Sequence, residues 1–250
     1  MRSAVIAIGI VVLAGHAARA TVEDLDAFLR SAEQAGQVVT PVRGDGQFQV
    51  TSAAATRNDQ VAVIVRPPAD TYIELHQAGL KVILPGQTGE ASLIKPGDSK
   101  AESLALDASF ADSDFSREDL LPFRLSSYKQ PRISDESDSE ITVTLFPTLP
   151  PYSLIVITFD RDKKLPRKTL YYRETLNNLV KMRRDDDYVL IGRKWMPTTM
   201  SMETFKLRTR TTFTLRWSQD ANVPPELFDP VFLQRPSGIN WPTTSTSPAK

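Results

Sequence analysis

Along most of the chain apolar residues recur every second position, the period of a half-buried β-strand. The clearest case is Leu207 to Trp217. Leu207, Thr209, Thr211, Phe213, Leu215 and Trp217 share one face, and Arg208, Arg210, Thr212, Thr214 and Arg216 the other. Glu140 to Phe146 alternates in the same way through Ile141, Val143 and Leu145. Gln60 to Arg66 and Ser153 to Phe159 are apolar on both faces. Shorter strands are predicted at Gly46–Ser52, Thr71–His76, Lys81–Leu84, Lys168–Tyr172, Leu179–Arg183, Tyr188–Ile191 and Trp195–Met200, joined by turns. Gln77-Ala78-Gly79, Asp185-Asp186-Asp187 and Gly192-Arg193 are predicted turns, and Pro85 to Ala101 a turn-rich loop.

Only two stretches have helical spacing. In Thr21 to Ala35, Val22, Leu25, Phe28, Leu29 and Ala32 lie on one face, Thr21-x-x-Asp24 reads as a capping box, and Gly36 stands at the C-cap. The second is the run Ser109-Phe-Ala-Asp-Ser-Asp-Phe-Ser-Arg-Glu-Asp-Leu-Leu121. There Ser116-x-x-Asp119 forms another capping box, and Pro122 shortens the helix it starts. Nine or ten short strands with two helices predict an α+β fold, a strongly curved antiparallel sheet with helices covering an apolar cavity. A fully packed core is the alternative.

The two ends read differently. Residues 1–20 combine Arg2, an apolar run from Ala4 to Ala14 and the small-x-small triplet Ala18-Arg19-Ala20. This is the pattern of a secretory signal cleaved after Ala20, so the protein is expected to be exported, with an uncleaved N-terminal anchor as the alternative. The run is too short to span a bilayer as a helix. Residues 21–235 read as one domain. Residues 236–250, rich in Pro, Ser and Thr, read as a disordered tail.

Composition narrows the chemistry. The chain has no cysteine, which removes disulfides, thiolate nucleophiles and thiolate metal sites. Thirty basic and thirty acidic residues cancel, so no global field draws nucleic acid. There is no phosphate-binding loop, dinucleotide fingerprint or zinc-protease helix. Asp185-Asp186-Asp187 reads as a solvated turn rather than a cation site. Asp112, Asp114, Glu118 and Asp119 read as capping and loop residues, and His76, the one histidine beyond the signal, as a strand residue. The row Arg208, Arg210, Arg216 reads as an exposed strand face, with lipid phosphates or a partner protein as the alternative. No enzyme, cofactor or metal site is expected.

The order of the motifs resembles the periplasmic LolA-like family of outer-membrane lipoprotein-sorting proteins. The run Ser109 to Leu120 is similar to that family's Ser-Phe-x-x-x-Asp-Phe-x-x-x-Asp-Leu segment, and Tyr152 to Asp160 to its central strand. Val189 to Met202 resembles its strand pair with a Gly turn before a Pro and a Met-rich strand. Thr211-Thr212, Pro225-Glu-Leu-Phe228 and Phe232-Leu233 resemble its ending, so the likeness extends from about Gln60 to Arg235.

The resemblance implies an incomplete β-barrel that shelters acyl chains. It also implies a monomeric, non-enzymatic carrier of lipid or acylated lipoprotein between an inner-membrane transporter and an outer-membrane acceptor. The candidate wall residues are Val63, Val65, Val143, Leu145, Ile155, Ile157, Phe213, Leu215 and Trp217. The pattern leaves open which sheet face they line. Arg66, directly before Pro67, occupies the place of a family Arg implicated in lid closure and release, and Phe110 and Phe115 are further lid candidates. A periplasmic sensor or interaction module on the same scaffold is the alternative function.

Overall fold

The computed structural model describes residues 24–86, 89–219 and 222–235. The expected signal peptide, the expected tail and Thr21 of the first capping box lie outside the described residues. Helix α1 runs over Leu25–Ala35, and Asp24 caps it, its carboxylate accepting the Asp26 N–H at 3.2 Å. Phe28, Leu29 and Ala32 form its buried stripe, as the spacing predicts. Helix α2 is the single turn Arg117–Leu120. Asp119 reaches back to the Ser116 N–H at 2.8 Å, and the helix ends before Pro122.

The strands are β1 (Val42–Thr51), β2 (Thr56–Arg66), β3 (Asp70–Leu75), β4 (Leu80–Leu84), β5 (Ala91–Ile94), β6 (Glu102–Leu104), β7 (Tyr128–Glu136), β8 (Glu140–Pro147), β9 (Leu154–Asp160), β10 (Pro166–Tyr172), β11 (Leu179–Ile191), β12 (Lys194–Thr204) and β13 (Thr209–Gln219). They form one antiparallel sheet in the order β6-β5-β4-β3-β2-β1-β13-β12-β11-β10-β9-β8-β7. Two meanders, β1 to β6 and β7 to β13, are therefore joined side by side through β1 and β13. Val42 faces Val65 on one side and Gln219 on the other. β6 and β7 are the two edges, so the curved sheet is unclosed.

Several elements differ from the sequence expectation. The stretch expected as loop holds β5 and starts the approach to β6. These strands are too short to show a period. β7 is an edge strand with most side chains in solvent, and its pairing shifts around Gln130-Pro131. A ladder-breaking proline and polar alternation hide such a strand. The aspartate run makes no turn. β11 continues through it, although Asp187 has φ 53°, because Asp185 is buried beside Arg183 instead of being solvated. Leu207 and Arg208 belong to the turn before β13, where Leu207 is exposed and Arg208 has φ 53°. His76 lies in the turn after β3 rather than in the strand.

The two apolar faces of β2 are both used. Val61 and Val63 face the main core, which also holds Phe48, Ile157 and Phe213. Ala62 and Ile64 face a second cluster with Tyr72 and Ile83, covered by Leu227, Phe228 and Leu233 of the C-terminal segment. That segment consists of two short 3-10 turns, Pro225–Phe228 and Phe232–Gln234.

Candidate functional site

Inside the curve lies a partly open cavity of about 230 Å³. Its apolar wall comes from Val63 and Val65 of β2, Ile73 of β3, Ile155 and Ile157 of β9, and Phe213 and Trp217 of β13. Ala32 of α1 and Leu121, Pro122 and Phe123 after α2 line it from the other side. The alternation of the strands selects these side chains, since every second residue of each strand faces the same way.

Of the nine wall candidates, Val63, Val65, Ile155, Ile157, Phe213 and Trp217 line the cavity. Val143, Leu145 and Leu215 share the inner face but are packed into the core away from the void. Arg66 points to the other side of the sheet. Its guanidinium lies 4.0 Å from the centre of the Phe228 ring, 3.0 Å from Asp70 and 3.3 Å from the Pro225 carbonyl. Phe110 and Phe115 are fully buried. Phe110 packs edge-on to Phe48 at 5.8 Å between ring centres, and Phe115 edge-on to Phe213 at 5.3 Å. They anchor the central loop in the core behind the cavity. Asp114, buried and not solvated, latches the same loop to β13 by accepting hydrogen bonds from the Thr209 and Thr211 hydroxyls.

One end of the cavity is polar in a way the sequence reading did not anticipate. Asp119 is fully buried and lines the void. It accepts hydrogen bonds from the Ser116 N–H and hydroxyl, the Tyr152 hydroxyl at 2.6 Å and Lys181 at 2.8 Å. Arg183 donates to the Asp119 carbonyl and pairs with Asp185 at 2.9 Å. Burial pushes the Asp185 carboxyl up, while Arg183 beside it pulls the other way. Burial opposes the charge of Arg183 itself, but Asp185 outweighs it and the guanidinium stays firmly protonated. Burial also raises the hydroxyls of Tyr152, Tyr171 and Tyr188 well above the usual tyrosine value. The signal for this network was present: Lys181, Arg183 and Asp185 stand two apart, so an unbroken strand puts all three on one face.

Near the turn between β11 and β12 the wall consists of Tyr188, Lys194, Trp195, Met196 and Pro197. The Trp217 indole N–H donates to the Pro197 carbonyl at 2.7 Å, which holds this hairpin against β13. Lys194 is half-buried there, and burial lowers its pKa to about 8. Among the described residues no group of His, Asp and Glu is arranged to hold a metal ion, and no helix is long and apolar enough to cross a membrane.

Comparison with known proteins places this architecture. A protein family described as an uncharacterized protein matches residues 96–235. No curated protein matches the sequence. Among solved structures, a Vibrio parahaemolyticus domain proposed as an outer membrane lipoprotein-sorting protein superposes with a TM-score of 0.73 at 16% identity, covering 83% of this chain and 98% of that one. A DUF1329 family protein from Desulfovibrio piger gives 0.69 at 16% identity, covering 82% and 96%. A LolA superfamily protein from Nitrosomonas europaea gives 0.62 at 15% identity, covering 81% and 96%. At such identities the likeness speaks for the fold, and the fold is LolA-like.

Proposed function

We propose that this chain, which belongs to that family of uncharacterized proteins and carries the LolA-like fold, is a non-enzymatic periplasmic carrier that shelters acyl chains during outer-membrane lipoprotein sorting. The observation that carries the reading is the cavity of about 230 Å³ walled by Val63, Val65, Ile155, Ile157, Phe213 and Trp217. Interiors are normally packed to crystal density, so an apolar void of this size is a binding feature rather than slack. Each methylene moved from water into it contributes about 0.8 kcal/mol. At the polar end Asp119 is already paired with Lys181 and Asp185 with Arg183, as in a structural network, and a carrier has no need of a free acid or base. The cargo is lipid or an acylated lipoprotein. Its partners are an inner-membrane transporter and an outer-membrane acceptor, and the carrier works as a monomer after its signal is cleaved behind Ala20.

Protein isolated from the periplasm, examined by native mass spectrometry and then extracted with organic solvent, tests this. Bound lipid or acylated peptide is expected, and Val65→Trp, which fills the void from β2, should abolish it while leaving the fold intact. A ligand-free mass together with no uptake of added phospholipid or lipoprotein overturns the carrier and favours an interaction module on the same scaffold.

A further inference from the structure

The cavity wall carries five ionic side chains, and four of them are spoken for or buried together at one end. Asp119 is held by Lys181, and Asp185 by Arg183. Glu118 sits next to Asp119, and burial and that neighbour raise its carboxyl, which favours the neutral form. Lys194 is different. It comes from the first residue of β12, next to the apolar residues Trp195 and Met196, and its side-chain ammonium makes no hydrogen bond or ion pair among the described residues. An ammonium that is partly desolvated and unpaired is costly to keep, and an anion beside it would offset that cost.

We infer that Lys194 is the headgroup end of the cavity and takes the carboxylate or phosphate of a single-chain anionic amphiphile whose tail lies along Val65, Ile157 and Trp217. The inference rests on the carrier reading and narrows its ligand class. Volume points the same way. About 230 Å³ is larger than the ~150 Å³ void that holds benzene but below the ~300–1,000 Å³ of drug-sized pockets. It accommodates one alkyl chain of moderate length, not several side by side. Burial explains why the site is selective: the lowered pKa of the free amine is the same desolvation that makes an anionic partner favourable.

The charged and titratable groups that share the wall with Lys194 are Glu118, Asp119, Tyr128, Tyr171, Arg183, Asp185 and Tyr188. All four tyrosine or arginine types among them stay protonated well into the alkaline range, because burial raises the tyrosines and Asp185 holds the arginine. The group that loses its charge between neutrality and pH 10 is therefore Lys194.

The test is calorimetric titration of the delipidated full chain with decanoate, decyl phosphate and decanol, each below its aggregation concentration, with acetate and inorganic phosphate as tail-free competitors. At pH 7 decanoate or decyl phosphate should bind on the order of tenfold more tightly than decanol, as one charge-assisted hydrogen bond provides. Lys194→Met should remove that preference while decanol still binds, and Lys194→Arg should keep it. The preference should also vanish in the native protein at pH 10. Which of the two anionic tails binds better identifies the headgroup. Equal affinity for decanol and decanoate, a preference that survives Lys194→Met, or displacement by acetate or phosphate alone overturns the inference and leaves the carrier standing. Failure of all three tailed probes overturns both.

Discussion

Lys181 of β11 and Asp119 of α2 meet 2.8 Å apart, with the carboxylate completely sealed from solvent. One ion pair thus ties the short helix to the inner face of the sheet. Removing one partner leaves the other charge buried without compensation, which typically costs about 3–5 kcal/mol. Asp119→Ala should destabilise the protein by that order in urea unfolding, since it also orphans the Tyr152 hydroxyl. Lys181→Met should cost less, because Ser116 and Tyr152 still bond the carboxylate.

Stability should also respond to pH through Lys194. Its folded pKa of about 8 lies below the ordinary lysine value, so between the two the unfolded chain holds more protons than the native one. Stability of the ligand-free protein therefore rises as pH increases from about 8 towards 10. At pH 7 the charged amine costs on the order of 2 kcal/mol. Lys194→Met should raise the unfolding midpoint of the empty protein at pH 7 and flatten its rise at alkaline pH, which denaturant titrations across pH would record.

On the other side of the sheet, Arg66 stacks on Phe228 and bonds the Pro225 carbonyl, while Lys81 bonds the carbonyls of Leu233 and Arg235. A cation over an aromatic ring contributes about 0.5–2 kcal/mol. Arg66→Ala should therefore speed hydrogen exchange and proteolysis of residues 224–235 while alkyl-chain binding stays unchanged. Loss of binding in that variant would instead assign Arg66 a role at the cavity.

Gly46 faces the backbone of β13 so closely that a Cβ would stand 1.8 Å from the Thr214 carbonyl oxygen. The obstacle is backbone, so no side chain can swing aside. Gly46→Ala should force β1 and β13 apart and cost more than about 2 kcal/mol, the range of overpacked interiors, as seen in thermal unfolding.

How far the sequence reveals this molecule depends on what its pattern has to report. β8, β9 and β13 alternate because one face is buried, and α1 shows its stripe for the same reason, so all four are readable. β5, β6 and β7 bury too few residues, or run too briefly, to show a period. The wall residues were readable as apolar, but the choice of inner face was not. Val63 and Ile64 look alike until the C-terminal segment is known to cover Ile64. The Asp119 network escaped because its partners lie on β11, whose three aspartates suggest a turn. Only the pairing of β11 with β12 makes them a strand.

The seam between β1 and β13 governs how the molecule comes into being. Val50 must find Thr211 and Val42 must find Gln219, across nearly the whole described chain, before the centre of the sheet exists. Contacts so distant in sequence carry a large loop-closure cost and make folding slow. A nascent chain lacking β13 has β1 as an open edge and Phe48 without its Phe213 neighbour. Such a chain cannot close the centre of its sheet until its last strand is made.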